Sequence, residues 1–323
     1  MRVAIVGAGV AGLACGEALL AQGIEVQWFD KSRASAGRAS AKRAFGGHID
    51  LGAQYFTARH PAFRQQVDDW QQQGLVEHWD PQLYCFVDGQ LQASPDDTRR
   101  YVGTPAMHSP WRSHTLADKL LLSCRIEQLQ YQHGWQLQSD DGRQFSGFDA
   151  LVLALPPAQA AALLSLDPVL QQQIPDDILL PCQAVALQLN QPMAHPAEGI
   201  FVKEGPLSWV ARQDSKPGRT SPKQQWVLHF TPEFSQQQRD ASSQFLIDCA
   251  ADALSTLFQQ PVQLGASVHH RWLYAIVDAS KPAPGILTSA RFPAVVAGDW
   301  SLGGRVENAW LAGQQAAKAV LHV

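Results

Sequence analysis

Charge is scarce in this chain. Only 17% of its 323 residues are Asp, Glu, Lys or Arg, and 25 basic against 29 acidic side chains leave a formal charge of -4. Binding a nucleic acid or an anionic membrane requires a basic footprint, and the densest arginine cluster here is only Arg99 with Arg100. Neither partner is expected. Cysteine is sparse too: the five at positions 15, 85, 124, 182 and 249 are odd in number and form no Cys-x-x-Cys pair. That pattern argues against a disulfide framework and against a zinc site, and the expectation is a reduced, cytoplasmic chain with no metal. Long apolar runs are missing as well. The stretch from Val3 to Leu20 is broken by Gly7, Gly9, Gly12 and Glu17, and no other segment offers the roughly eighteen apolar residues of a membrane span. Gly-x-Ser-x-Gly, His-Glu-x-x-His and a Gly-Lys-Ser/Thr turn after the first strand are also absent, which removes serine acyl transfer, zinc hydrolysis and P-loop chemistry.

What is present begins with the first thirty residues. Val3 to Val6 read as a strand, Gly7 to Gly12 as a tight turn, Leu13 to Ala21 as a helix, and Ile24 to Phe29 as a second strand. In Gly7-x-Gly9-x-x-Gly12 the first glycine permits the turn, the second lets a diphosphate approach the backbone, and the third lets helix and strand pack closely. Ala11 lies in the same turn. Asp30 ends the second strand, where a carboxylate accepts the hydroxyls of an adenosine ribose. This is a dinucleotide-binding βαβ unit, and by itself it leaves NAD and FAD open.

Further along, His60 to Gly74 read as a helix, and Leu83 to Val87 with Gln90 to Ala93 as short antiparallel strands. A helix is expected over Thr115 to Leu122, a hairpin over Ile126 to Tyr131 and Trp135 to Ser139, and a continuous buried strand over Phe148 to Leu155. Residues 183–190, 199–213, 225–231 and 266–277 are strand candidates and Gln236 to Phe258 a long amphipathic helix. Ala294 to Ala297 form a last strand and Val306 to Leu321 a last helix, whose Ala309, Ala312, Gly313 and Ala316 suit close packing on a sheet.

Several stretches together resemble the flavin amine oxidase superfamily, in particular its bacterial renalase group. They are Asp30-Lys31-Ser32-Arg33 with Gly37-Arg38-Ala39-Ser40, Asp50-Leu51-Gly52-Ala53-Gln54-Tyr55-Phe56-Thr57, and Gly298-Asp299-Trp300 with Gly303-Gly304-Arg305-Val306-Glu307. Trp209-Val210-Ala211-Arg212, Ser215-Lys216-Pro217-Gly218-Arg219, Trp226-Val227-Leu228-His229 and His270-Arg271-Trp272 extend the likeness through the middle of the chain. One departure is that the group's Gly-Gly-Arg reads Ala36-Gly37-Arg38 here.

The resemblance implies an α/β fold: a Rossmann-like FAD-binding domain of glutathione-reductase type (1–75, 105–175 and 285–323), interleaved with an α+β substrate domain containing an antiparallel sheet (76–104 and 176–284). It implies non-covalent FAD, since no cysteine follows Cys249 to anchor a flavin. Lys31, Gly37, Arg38, Gly52, Ala53 and Gln54 would join Gly7, Gly9, Ala11, Gly12 and Asp30 around the cofactor. So would the backbone of Ile126, then Gly298, Asp299, Arg305, Val306 and Glu307. Gln54, Tyr55, Thr57, Trp209, Arg212, His229, His270, Trp272 and Trp300 would face the substrate. By period two, His270 and Trp272 share one face of their strand and His269 and Arg271 the other; Trp209 and Arg212 lie on opposite faces of theirs.

The implied reaction is hydride transfer to flavin from 2- and 6-dihydro isomers of NAD(P)H, with oxygen then reduced to hydrogen peroxide. It asks for stacking and orientation rather than a general acid or base, so no catalytic side chain is named. The alternatives are a flavin amine oxidase, whose members commonly place a lysine near the flavin (here Lys203, Lys216 or Lys281), and a non-catalytic binding module on the same fold.

Overall fold

A computed structural model describes residues 1–112 and 118–322. The chain builds two main sheets. The first has six strands in the order Leu287–Thr288, Ala294–Val296, Ala150–Leu153, Arg2–Val6, Glu25–Phe29 and Leu120–Leu121, all parallel except the first, which runs antiparallel. Every side chain of Ala150–Leu153 is buried, as expected for a strand covered on both faces. Between the first two parallel strands runs the helix Val10–Leu20. Gly12 is required at its start because a Cβ there would lie 1.9 Å from the Gly7 carbonyl oxygen. The C-terminal helix, Val306–Val320, packs on this first helix. A Cβ on Gly313 would sit 2.3 Å from the Ala11 carbonyl oxygen, so this residue serves a close helix–helix contact, while the helix also packs on the parallel sheet as expected.

The second sheet has seven strands in the order Leu264–Val277, Leu179–Leu189, Gln225–Phe230, Leu207–Arg212, Gly199–Val202, Leu83–Val87 and Gln90–Ala93. It is antiparallel but for one pair, Gly199–Val202 alongside Leu83–Val87. One face carries Val185, Leu187, Val210, Trp226 and Leu228 against the helix Ser243–Phe258, forming a separate core. The opposite face packs Ala184, Ala186 and Val227 beneath Ile49 and Leu51. That second face looks toward the parallel sheet's loops and is where the candidate site lies. Among the described residues, no helix is long and apolar enough to cross a membrane.

Four expected elements differ. Thr115 to Ala117 lie outside the described residues, and Leu120–Leu121 are an edge strand beside Trp28 and Phe29 rather than the end of a helix. The run 199–213 is two strands, reversed through Gly205 at φ 80°. The stretch 236–258 is interrupted: Pro232–Gln237 is one helix, and Ser242 starts the next by accepting a hydrogen bond from the Phe245 amide at 3.2 Å. Phe148 belongs to a third strand added to the expected hairpin, Gln144–Phe148, because its ring packs at 5.9 Å on Phe29 beneath the parallel sheet.

Candidate functional site

The glycine loop is shaped for a diphosphate. Gly7 takes φ 106°, and a Cβ there would meet the Ala154 carbonyl oxygen at 2.3 Å, whereas a Cβ on Gly9 would meet nothing within 4 Å. Gly9 therefore has beside it a space that no atom of the described residues occupies. It also starts the helix without any side-chain cap, leaving first-turn amides and the positive end of the helix for an anion. Ala11 is buried in that turn. Asp30 accepts from the Ala8 and Ser32 amides, at 2.7 Å each, which fixes its carboxylate at the strand end. Beside it a groove is lined by Lys31, Ser32, Arg33, Ser123, Arg125 and Asp140. The side chain of Ile126 is buried in the core, so only its backbone is offered to a ligand.

Ala36, where the resemblance expects glycine, holds φ 76°, a left-handed conformation that costs an alanine about 1 kcal/mol or more. It pays this to bring its amide within 2.8 Å of the Ala8 carbonyl and Gly37 against Gly9. Arg38 then reaches across the molecule. Its guanidinium pairs with both carboxylate oxygens of Asp299 and donates to the Ala275 carbonyl at 3.0 Å. Expected as separate contacts to phosphate and ribityl groups, Arg38 and Asp299 are instead one bidentate pair bridging the two sheets.

The turn Leu51-Gly52-Ala53 is pinned from both sides. The Ala53 amide donates to the Arg38 carbonyl at 2.9 Å, and a Cβ on Gly52 would lie 2.0 Å from that oxygen. The Leu51 carbonyl accepts from Trp272 Nε1 and meets His229 Nε2, both at 3.0 Å. Burial lowers the pKa of His229 to about 4, against the opposing pull of the Leu51 carbonyl. The imidazole is therefore neutral, with its proton on Nε2. His229 and Trp272 orient the turn, which was not part of their expected role.

Register places four side chains in one row across the sheet: His270 opposite Ala184, Ala184 opposite His229, and His229 opposite Trp209. His270 stacks edge-on to Trp272 at 4.1 Å. His269, on the other face, bonds Ser243 and Gln183, so the expected face of this strand is the one turned to the Leu51 turn. Tyr55 closes the row, 5.5 Å from Trp209 and 6.1 Å from Trp79. Trp209 Nε1 is buried without a partner among the described residues. Thr57 is half-buried just beyond.

Four expected contacts are corrected. Trp300 is 0% exposed, with its indole donating to the Leu155 carbonyl at 3.0 Å, and is a core residue under the parallel sheet; the adjacent extended Gly298 is small because a Cβ would strike that indole. Arg212 is committed to Glu198 at 2.6 Å and Asp214 at 3.6 Å, on the face away from Trp209. Gln54 is buried, its amide donating to the Asp50 and Gly52 carbonyls and its oxygen accepting from Lys216. Glu307 spends one carboxylate oxygen on the Arg59 and His60 amides, 2.6 Å each. The helix it opens is aimed by Gly303, Gly304 and Arg305, all at φ near 80°, and Arg305 combines φ 78° with ψ 156°. That is a region few residues but glycine tolerate. Arg305 is exposed and Val306 half-buried at that helix end.

Sequence reasoning missed a buried charge cluster. Asp50 is 0% exposed and accepts from Arg219 Nη2 at 2.7 Å, Gln213 Nε2 at 3.2 Å, Lys216 Nζ at 3.4 Å and the Met107 amide at 3.1 Å. Lys216 also donates to Gln54 and Gln213 oxygens. Burial drives the lysine pKa down to about 8, with Arg219 adding to the fall and Asp50 opposing it. Burial alone would raise Asp50, but Lys216, Arg219 and the Met107 amide outweigh it and hold the carboxyl below its ordinary range. The signal was in Ser215-Lys216-Pro217-Gly218-Arg219, where a Pro-Gly turn sets two cations side by side. Gly218 at φ 72° makes that turn.

Residues 5–70 match the NAD(P)-binding Rossmann-like domain, and residues 103–321, more than half the chain, match the flavin containing amine oxidoreductases. The chain belongs to that family. Among solved structures it is similar to cyclohexylamine oxidase from Brevibacterium oxydans IH-35A, with TM-score 0.76 and 15% identity over 99% of this chain and 98% of that one. Putrescine oxidase bound to putrescine gives 0.74 and 12% over the whole of both chains. A protein assigned as a protoporphyrinogen oxidase from Exiguobacterium sp. 255-15 gives 0.77 and 12% over 100% and 99%. At these identities the likeness is one of fold. For a flavin amine oxidoreductase the cofactor is FAD, and the open position at Gly9, the uncapped helix and the fixed Asp30 carboxylate fit its diphosphate and ribose.

Proposed function

We propose that this flavin-dependent oxidoreductase takes hydride from misreduced NAD(P)H, the 2- and 6-dihydro isomers, giving NAD(P)+ and, with oxygen, hydrogen peroxide. Gly7, Gly9, Ala11 and Gly12 hold the diphosphate in this reading, Asp30 the adenosine ribose, Lys31 and the Ile126 backbone the adenine end. Gly37, Arg38, Gly52, Ala53, Gly298 and Asp299 flank the middle of the cofactor, and the helix opened by Arg305 and Val306 faces its ring. Residues 1–75, 105–175 and 285–323 form the cofactor unit, and the rest the substrate unit. FAD supplies the two-electron acceptor; the protein's part is to stack, orient and keep water out.

One observation carries the substrate: the row His270, Ala184, His229, Trp209, with Trp272 and Tyr55 beside it, contains aromatic, neutral and small side chains but no carboxylate and no lysine. Removing hydride from a dihydropyridine leaves an aromatic pyridinium directly, so no proton acceptor is needed. Lys203 is exposed, Lys281 is exposed and paired with Asp177, and Lys216 is enclosed by Asp50, Gln54 and Gln213. A second reading, oxidation of a small neutral amine, draws on the Tyr55–Trp209 pair and on the two amine oxidases of like fold. Anaerobic mixing of the yellow enzyme with 2-, 4- and 6-dihydro-NAD(P) and with putrescine or cyclohexylamine separates them. The expected result is rapid bleaching by the 2- and 6-isomers; bleaching by amines alone would overturn the proposal.

A further inference from the structure

Tyr55 has a neighbour that the proposed chemistry does not use. Arg100, only 3% exposed, carries its guanidinium carbon 5.1 Å from the centroid of the Tyr55 ring. The arrangement is rigid. Phe56 and Tyr101 exchange backbone hydrogen bonds of 2.9 and 2.8 Å, locking the two segments in register, and Arg100 is gripped by both oxygens of Asp96 at 2.8 and 2.7 Å. Arg100 Nε has no partner among the described residues. A guanidinium is thus buried against the tyrosine at the end of the aromatic row.

We propose that Arg100 makes this position charge-selective, so that a neutral, electron-rich ring is held against Tyr55 and a cationic ring is disfavoured. The inference rests on the reading of Tyr55 as substrate-facing. A cation over one side of an aromatic ring uses up the attraction of its π cloud for a second cation and repels that cation through the ring. Asp96, bound to both guanidinium nitrogens, reduces the field to that of an oriented ion pair. In the proposed reaction the substrate ring is neutral and the product ring carries the pyridinium charge, so the same contact holds the one and releases the other. An ammonium substrate would have to enter as its free base.

Equilibrium titration of the oxidised, FAD-bound enzyme tests this without turnover. The probes are 1-methylnicotinamide, a cation, and nicotinamide, its neutral counterpart, each followed by the flavin difference spectrum. The ratio of the two dissociation constants, cation over neutral, should fall about three- to tenfold in Arg100→Gln, as expected for charges roughly 8 Å apart in a partly screened site. Arg100→Lys should keep most of it. Asp96→Asn, a change at a partly exposed side chain, should move the ratio the other way by removing the counter-charge. An unchanged ratio in Arg100→Gln and Asp96→Asn overturns the proposal while leaving dihydropyridine oxidation standing. If neither probe perturbs the wild-type flavin, Tyr55 does not face the substrate and both readings of it fall.

Discussion

The buried cluster around Asp50 makes the sharpest prediction about stability. It contains one carboxylate and two cations, Lys216 and Arg219, all essentially inaccessible, so it carries an excess positive charge in the interior. Asp50→Asn leaves both cations without a counter-ion, and breaking a buried pair in this way costs about 3–5 kcal/mol. With an unfolding entropy of roughly 2.1 cal/mol/K per residue, a chain of this length should lose about 4–7 °C in Tm. Lys216→Met has the opposite electrostatic effect, since it leaves the neutral Asp50–Arg219 pair. Its loss is the hydrogen bonds to Gln54 and Gln213 and the longer 3.4 Å contact to Asp50, on the order of 2–3 kcal/mol, offset by relief of the lysine's desolvation. The two variants should therefore differ clearly at pH 7, with FAD held at one saturating concentration. The pH dependence adds an independent check. Lys216 has a folded pKa of about 8 against an ordinary 10.5, so between those values the unfolded chain binds more protons and stability rises with pH. Relative to Lys216→Met, the wild type should gain about 2 kcal/mol between pH 7.5 and 10. Equal destabilisation by the two substitutions, or a flat difference across that range, would refute the excess-charge argument.

Gly9→Ala should fold with an unchanged Tm in the absence of cofactor, because its Cβ enters open space, yet bind FAD at least tenfold more weakly by fluorescence titration; Gly12→Ala, with a Cβ 1.9 Å from the Gly7 oxygen, should fail to accumulate as folded protein. Ala36→Gly should leave Tm the same or raise it by a degree or so, since relief of the left-handed strain is set against the added freedom of the unfolded chain. A marked loss of stability there would mean that Ala36 is not strained as its φ implies.

The parts of this molecule that were legible in the sequence are those whose cause is local. The glycine spacing, the acid at the end of the second strand and the apolar run of Ala150–Leu153 each state their structure within a few residues, and the structure places them as expected. Local expectation fails where a distant segment decides the outcome. Leu120 and Leu121 pair with Trp28 and Phe29, some ninety residues earlier in the chain, and nothing in their own neighbourhood announces a strand. Trp300 was drawn toward the site by its place after Gly298-Asp299, but the tight packing of its indole on Gly298 belongs to the core. For Arg212 and Gln54 the family resemblance implies ligand contacts, but their partners, Glu198 and Lys216, come from other strands and loops.

That pattern also explains how the candidate site is assembled. Few of its polar groups are free: Arg38 holds Asp299, Glu307 holds the backbone of residues 59 and 60, and His229 with Trp272 holds the Leu51 carbonyl. Each tie joins a loop of the parallel sheet to an element distant in sequence, and the Leu51-Gly52-Ala53 turn is held from two sides, by the Arg38 carbonyl and by His229 with Trp272. Chemistry that needs a ring set at one height and one angle calls for such rigidity, and it calls for little proton transfer. A site built on a carboxylate or lysine base would instead leave such a group facing the row. Here the one imidazole in the row with a fixed partner, His229, is held neutral, and the carboxylate nearest the turn, Asp50, is enclosed by two cations.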